Sequence, residues 1–272
     1  MKQITRWIAV FIILIFYPLQ ALAARDNLQI VLPGMKTQFS LRQLQSRLRQ
    51  ASVTIYDPNY KQTLTFEGFL LTDLLKEAGL ADTAHGDEVV FTAKDGYSPN
   101  ISFEMIRAHR AIVAFREQGK RAFGKLAQGK AMVSPAPYYL VWEEGAKLAN
   151  SVPWPYQLVK IEVVNFRDKF GKLYPDSVAA DSSVMRGFLT FKNQCVRCHS
   201  INLQGGDVGP ELNVPQNVTE YWQTETLQHF IHNAPSFRYK SKMPAFPQLN
   251  ELQVAQVIDY LKHMKEHKIR TP

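Results

Sequence analysis

The sequence predicts two domains of different class: a strand-rich α+β domain over residues 24–166, then an all-α domain over residues 184–272. Three observations lead there. The first part holds many short apolar stretches punctuated by Pro and Gly, the pattern of a sheet-forming chain. The last part carries apolar residues at helical period, Val184, Phe188 and Phe191 at its start and Val254, Val257, Ile258 and Leu261 near its end. Between them, residues 167–183 are polar, contain Gly171 and Pro175 and show no sustained period, so they read as a linker. A chain of this length accommodates two domains of roughly 100–150 residues each.

Residues 1–23 stand apart. Lys2 and Arg6, with no acid, precede an unbroken apolar run from Trp7 to Tyr17, and Ala21-Leu22-Ala23 supplies a small-residue cleavage site. That is the layout of a secretory signal peptide. A membrane anchor needs about 20 apolar residues, and Pro18 and Gln20 end this run early. No cysteine follows the run to carry a lipid. The mature chain is expected to begin near Ala24 in an exported, oxidising compartment, most simply a bacterial periplasm, with no stable membrane insertion after cleavage. The formal charge is +8, from 32 bases and 24 acids, and loss of Lys2 and Arg6 leaves an excess of six bases. Such a surface favours encounter with an acidic partner protein or an anionic membrane face. Export, and the lack of basic runs interleaved with aromatics, exclude nucleic acid.

Within residues 24–166, Leu28, Ile30 and Leu32 alternate as a strand. Ser40 and Gln43 form a capping box for a helix with Leu41, Leu44 and Leu48 on one face. Val53 and Ile55 pair with Leu64 and Phe66 around Asp57-Pro58-Asn59. Thr72 to Ala78 makes a short helix closed by Gly79. Val89 to Thr92, Ala111 to Phe115, Tyr138 to Trp142 and Leu158 to Val164 are further strands.

The chemistry concentrates at Cys195-Val196-Arg197-Cys198-His199. Two thiols and an imidazole at this spacing are the attachment signature of a c-type haem. Each thiol adds across one vinyl group, and the adjoining His199 is set beneath the iron. A zinc knuckle wants four Cys/His ligands, and these are the chain's two cysteines. A thioredoxin-like redox pair wants a βαβ setting, which is absent around this motif. One covalent haem c is therefore expected, with His199 as an iron ligand.

The segment from about Ser183 to the C-terminus resembles a class I cytochrome c along its length. Gly187 and Phe191 precede Cys195 by eight and four positions, and Gly205-Gly206-Asp207-Val208-Gly209-Pro210-Glu211-Leu212 follows the motif. The resemblance implies that Gly187 lets the first and last helices cross closely and that Phe191 packs beside the haem. It also implies that the Pro210 carbonyl accepts a hydrogen bond from His199, which fixes the tautomer and enriches the ligand. The glycines, Gly209 among them, permit tight turns near the ring.

Of the two methionines beyond the motif, Met264 continues the apolar stripe of the last helix, whereas Met243 lies in Lys242-Met243-Pro244-Ala245-Phe246, stiffened by Pro244. That stretch looks like the ligand loop of the family, so Met243 is the expected sixth ligand, with His232 or an open site as alternatives. His229, His263 and His267 read as exposed or rim residues. His/Met ligation raises the potential above that of two histidines and argues against oxygen or peroxide chemistry.

The N-terminal part resembles the sulfite-oxidase-like molybdopterin-binding domain in Phe66-Glu67-Gly68-Phe69 through Ala78-Gly79-Leu80 and in Val89 through Asp95-Gly96-Tyr97. Tyr138–Trp142 and Val159–Val164 correspond to its later strands. Members of that family hold molybdenum through a cysteine thiolate, and both cysteines here belong to the haem motif, so molybdopterin is not expected. Arg107, His109 and Arg110 read equally well as anion ligands or as a solvated basic helix end. Fold likeness supplies no activity by itself.

The functional expectation is an exported monohaem cytochrome carrying single electrons, with an N-terminal module for partner docking or ligand binding. Its partners are redox proteins, a molybdoenzyme or another periplasmic dehydrogenase or oxidase being the candidates. The alternatives are a molybdopterin-dependent oxidoreductase that passes electrons from a small oxoanion or sulfur substrate to its own haem, and a haem-based redox or gas sensor. The residues favour a carrier over an enzyme.

Overall fold

The computed structural model describes residues 27–81, 86–128, 131–149 and 151–270. The signal peptide read at residues 1–23 lies outside them.

The strand-rich region contains two main sheets. β1 (Leu28–Leu32), β2 (Met35–Phe39), β5 (Glu88–Ala93), β6 (Asn100–Ser102) and β11 (Leu158–Val164) form the first, in the order β2-β1-β11-β5-β6. Its β1–β11 pair is parallel, with Ile30 opposite Ile161, and the other pairs are antiparallel. β3 (Ala51–Asp57), β4 (Gln62–Leu70), β7 (Ala111–Glu117) and β10 (Tyr139–Trp142) form the second, in the order β10-β7-β4-β3. Residues of both sheets share one core, including Leu28, Ile30, Phe91 and Ile161 from the first and Val53, Phe66, Val113 and Leu140 from the second. A small hairpin, β8 (Leu126–Gln128) with β9 (Ala131–Val133), lies beside them.

Local chemistry sets these elements. The capping box at Ser40 and Gln43 starts α1 (Leu41–Arg47), whose Leu44 is buried. Val53 stands opposite Phe66 and Ile55 opposite Leu64 across the β3–β4 hairpin. Asp57 closes that hairpin: one carboxylate oxygen accepts the amides of Asn59 and Tyr60, each at 2.8 Å, and the other accepts the Tyr139 hydroxyl at 2.8 Å. The helix expected at 72–78 is α2 (Leu71–Glu77), and the chain turns away at Gly79 with φ of +102°. α3 (Phe103–Ala108) was not expected, and neither were β2, β6, β8 or β9. Each is short, and β2 shows most of its side chains to solvent, so none has a readable apolar period.

The joining segment is more than a polar linker. α4 (Phe166–Phe170) and a 3₁₀ turn (Gly171–Leu173) occupy its start. Phe166, Phe170 and Leu173 are buried in the second core, and the Tyr260 hydroxyl donates to the Leu173 carbonyl at 2.7 Å. Phe166, Phe170 and Leu173 stand at helical spacing, but a boundary placed after residue 166 splits that set, so the folded part of the segment did not register.

The helical region consists of α5 (Ser183–Gln194), a hairpin of β12 (Ser200–Ile201) and β13 (Gln204–Gly205), α6 (Val218–Tyr221), α7 (Thr224–His232), α8 (Ala234–Phe237) and α9 (Glu251–Lys265). α5 and α9 cross at Gly187, where a Cβ would stand 1.8 Å from the Gln256 carbonyl oxygen. Phe188 and Phe191 place their rings 5.7 and 5.2 Å from that of Tyr260.

The two cores meet within single strands. On β5, Val89 and Phe91 pack into the sheet core while Val90 packs into the helical core. On β11, Ile161 and Val163 face the first and Val164 the second. Strand geometry alternates successive side chains between faces, so one strand lines both cores.

Candidate functional site

α5 delivers the cysteine motif. Ser182 caps its start by accepting the Met185 amide at 3.1 Å. At its end the Phe191 carbonyl accepts the amides of Cys195 and Val196 at 2.8 and 3.0 Å. The Cys195 carbonyl then accepts the amides of Cys198 and His199, each at 3.0 Å, which curls the motif into one tight turn. Val196, 2% exposed, anchors that turn in the core.

The following loop folds back over the motif. Gly206 donates to the Val196 carbonyl at 2.8 Å, and Gly209 donates to that of Cys198 at 2.7 Å. His199 Nδ1 lies 2.8 Å from the Pro210 carbonyl oxygen. A carbonyl only accepts, so Nδ1 carries the proton and Nε2 keeps its lone pair. Burial lowers the His199 pKa, against the opposing pull of the Pro210 bond and the Glu211 charge, so the imidazole is neutral at pH 7. A Cβ at Gly209 would come within 2.5 Å of His199 Cε1 and 2.7 Å of Nδ1. Only glycine leaves the ring where it is.

Burial pushes the Cys195 thiol up to about 12 and raises that of Cys198. A redox-active CxxC nucleophile requires a depressed thiol pKa, so the electrostatics oppose the disulfide-exchange reading. Two neutral thiols and a neutral imidazole with a free Nε2, in a turn with no room for a bulkier residue at Gly209, fit haem c.

Met243 lies on the loop after α8 and is half-buried. It packs against the apolar cluster that also receives Cys195 and contains Phe191 and Val196. The loop is pinned by the Phe246 amide on the His232 carbonyl at 3.0 Å and by the Ser241 hydroxyl on the Met243 carbonyl at 3.2 Å. Met264 is 1% exposed within α9. His229 is exposed and His232 half-buried, while the rings of His263 and His267 stack 4.2 Å apart.

The basic residues at the end of α3 do not converge. His109 pairs with Glu144 at 2.8 Å and Arg110 with Glu143 at 2.6 Å, and Arg107 lies over the Phe103 ring. Among the described residues, no three His, Cys, Asp or Glu side chains group to hold a metal ion. No helix among them is long and apolar enough to cross a membrane.

The strand-rich region meets the motif directly. The Ser98 amide donates to the Arg197 carbonyl at 3.1 Å. The Tyr97 hydroxyl hydrogen-bonds the Arg197 side chain, and burial raises its pKa. Gly96 abuts Asp207 of the loop after the motif. The sequence placed Asp95-Gly96-Tyr97 within the family resemblance, but nothing in it pointed to contact with residue 197.

Residues 182–261 match the family described as Cytochrome C oxidase, cbb3-type, subunit III. This segment is a cytochrome c domain. The cytochrome c domain implies covalent haem c, electron transfer and redox partners, and Cys195 and Cys198 fit the attachment motif. Among solved structures, the sulfane dehydrogenase SoxCD from Paracoccus pantotrophus is 15% identical, with a TM-score of 0.36. The match covers 51% of this chain and 38% of that one. No curated protein matches the sequence.

Proposed function

We propose that the chain is an exported, periplasmic monohaem c-type cytochrome that carries single electrons, with its N-terminal region serving as a partner-docking or ligand-binding module. The observation that carries this reading is the His199–Pro210 pairing at 2.8 Å beside two cysteines in one turn. It leaves an uncharged imidazole with its Nε2 free, the form that ligates a metal. In this reading Cys195 and Cys198 would hold haem c by thioether bonds, His199 and Met243 would bind its iron, and Phe191, Gly209 and Pro210 would shape its surroundings. When bound, haem c supplies a one-electron couple.

The chain's own residues make that couple an electron relay. Pro210 keeps the Nδ1 proton of His199 in place, so the ligand stays neutral and correctly turned. Phe191, Val196 and Tyr260, all buried, exclude water from the core beside the motif. Met243, half-buried against the same core, would be the second iron donor and would keep small ligands from the iron. Residues 24–166 contain no cysteine, so the thiolate through which the sulfite-oxidase-like family holds molybdenum is missing from them.

Intact mass and elemental analysis of protein matured in its own host test the proposal. One haem added to the peptide and iron without molybdenum are expected. A bare peptide mass ends the haem reading, and stoichiometric molybdenum moves the function to an enzyme. Rapid, stoichiometric binding of carbon monoxide to the reduced protein contradicts the role of Met243 and favours a sensor.

A further inference from the structure

We infer that Glu211 is a positioning residue for His199, holding the carbonyl that orients its ring; this rests on the ligation proposed above. Glu211 follows Pro210 directly, and one carboxylate gathers four backbone amides. Oε1 accepts Asn202, Asn213 and Val214 at 2.9, 2.8 and 3.2 Å, and Oε2 accepts Leu203 at 2.9 Å. Asn202 and Leu203 both adopt left-handed backbone, with φ of +54° and +63°, which turns two successive amides toward a single anion. Four donors compensate the carboxylate without a cation, and among the described residues it forms no ion pair.

The consequence for His199 comes from peptide planarity. The Pro210 carbonyl shares a rigid plane with the nitrogen and Cα of Glu211. Fixing Glu211 therefore fixes the direction in which that oxygen points. Two of the amides that Glu211 binds lie three and four residues beyond His199, so the carboxylate ties the strand leaving the histidine to the strand leaving the proline. The Leu212 amide on the Ser200 carbonyl at 3.0 Å and the Gly209 amide on that of Cys198 at 2.7 Å close the same loop.

The knot is moored to the last helix by three buried asparagines. Asn213 donates to Asn202 Oδ1 at 2.8 Å and to the Met264 carbonyl at 2.9 Å. Asn217 donates to Asn213 Oδ1 at 2.7 Å and to the Leu261 carbonyl at 2.9 Å. α9 in turn packs on α5, which ends in Cys195. The acceptor of the histidine proton is thus held in the same frame as the cysteines.

Two substitutions in the haem-loaded, full-length protein separate position from charge. Glu211→Asp keeps the charge but shortens the reach, whereas Glu211→Gln keeps the length and puts a donor where Leu203 donates. The readouts are solvent exchange of the His199 Nδ1 proton, followed by NMR in the reduced state, and the reduction potential. Both variants are expected to exchange that proton about tenfold faster, the equivalent of one net hydrogen bond, and to shift the potential upward as the imidazole becomes less electron-rich. Wild-type exchange rates in both variants overturn the inference, as does a potential that moves in Glu211→Gln alone at unchanged exchange. Should Glu211→Asp fail to mature, the exchange rate in Glu211→Gln decides: faster carries the inference, wild-type overturns it. Failure of the underlying ligation is distinct, because unmodified protein then holds no haem.

Discussion

Lys192 Nζ lies 2.5 Å from Glu88 Oε1, joining the helix that delivers the cysteine motif to strand β5. Their side chains are 18% and 6% exposed, and Asn100 satisfies the second Glu88 oxygen at 2.7 Å. The ammonium also stands 4.4 Å from the centre of the Phe166 ring. Removing one partner of a buried pair strands the other charge in a low-dielectric site. Lys192→Met is expected to destabilise the protein by about 3 kcal/mol, and Glu88→Gln added to it to recover much of that loss. Denaturant midpoints decide, and an unchanged midpoint in Lys192→Met means the pair is solvated.

Gly187→Ala is expected to cost about 3 kcal/mol, the upper end for overpacking, because the new methyl meets backbone rather than a yielding side chain. The Gln256 carbonyl carbon stands 2.4 Å from that Cβ position, so α5 and α9 must part. Thermal melts of the variant test this, and an unshifted transition contradicts the crossing.

At the proposed haem site, Met243→Ala is expected to abolish the sulfur-to-ferric-iron absorption band and to lower the reduction potential. Persistence of the band transfers the role to another donor, and burial of Met264 within α9 makes it a poor replacement. Cys198→Ala is expected to leave haem held by one thioether or lost. Undiminished covalent haem in that variant refutes the attachment.

Acid stability offers a further check. Burial alone would raise the Glu162 carboxyl, but hydrogen bonds and charges from Lys169, at 2.6 Å, and Lys160, at 3.2 Å, outweigh it and hold the pKa below the ordinary 4.5. A carboxyl depressed on folding stabilises above its unfolded pKa, and that contribution is lost as pH falls through the folded value. Stability is therefore expected to drop as pH is lowered from 4.5, and Glu162→Gln to flatten that part of the curve. Parallel curves for the two proteins contradict the assignment.

Much of the fold was legible because its signals are local. Alternation at Leu28, Ile30 and Leu32, the Ser40–Gln43 box and the Val53–Phe66 pairing need no tertiary information, and the structure contains each. The cysteine motif was legible for the same reason: its chemistry demands a fixed spacing. The Gly187 crossing and the Pro210 bond came instead from family resemblance, since periodicity cannot say what a glycine touches.

What escaped was long-range. Glu88 and Lys192 lie more than a hundred positions apart, and nothing in either neighbourhood announces the other. Nothing in the sequence around Gly209-Pro210 marks the Glu211 carboxylate as the acceptor of four backbone amides. Asn202, Asn213 and Asn217 belong to a residue type usually found at the surface, so their burial was invisible without coordinates. The joining segment misled because its boundary was set after Phe166, which hid that residue's helical spacing with Phe170 and Leu173, and because contacts with α5 and α9 anchor it.

Strand β5 turns Val89 and Phe91 one way and Val90 the other, and this makes the chain resistant to dissection. A fragment cut after residue 166 would bare Val90, Val164 and Phe166, a greasy stripe that invites clumping. The haem-bearing remainder would lose part of its own floor. Separating the two regions therefore uncovers a face of β5 that both cores need.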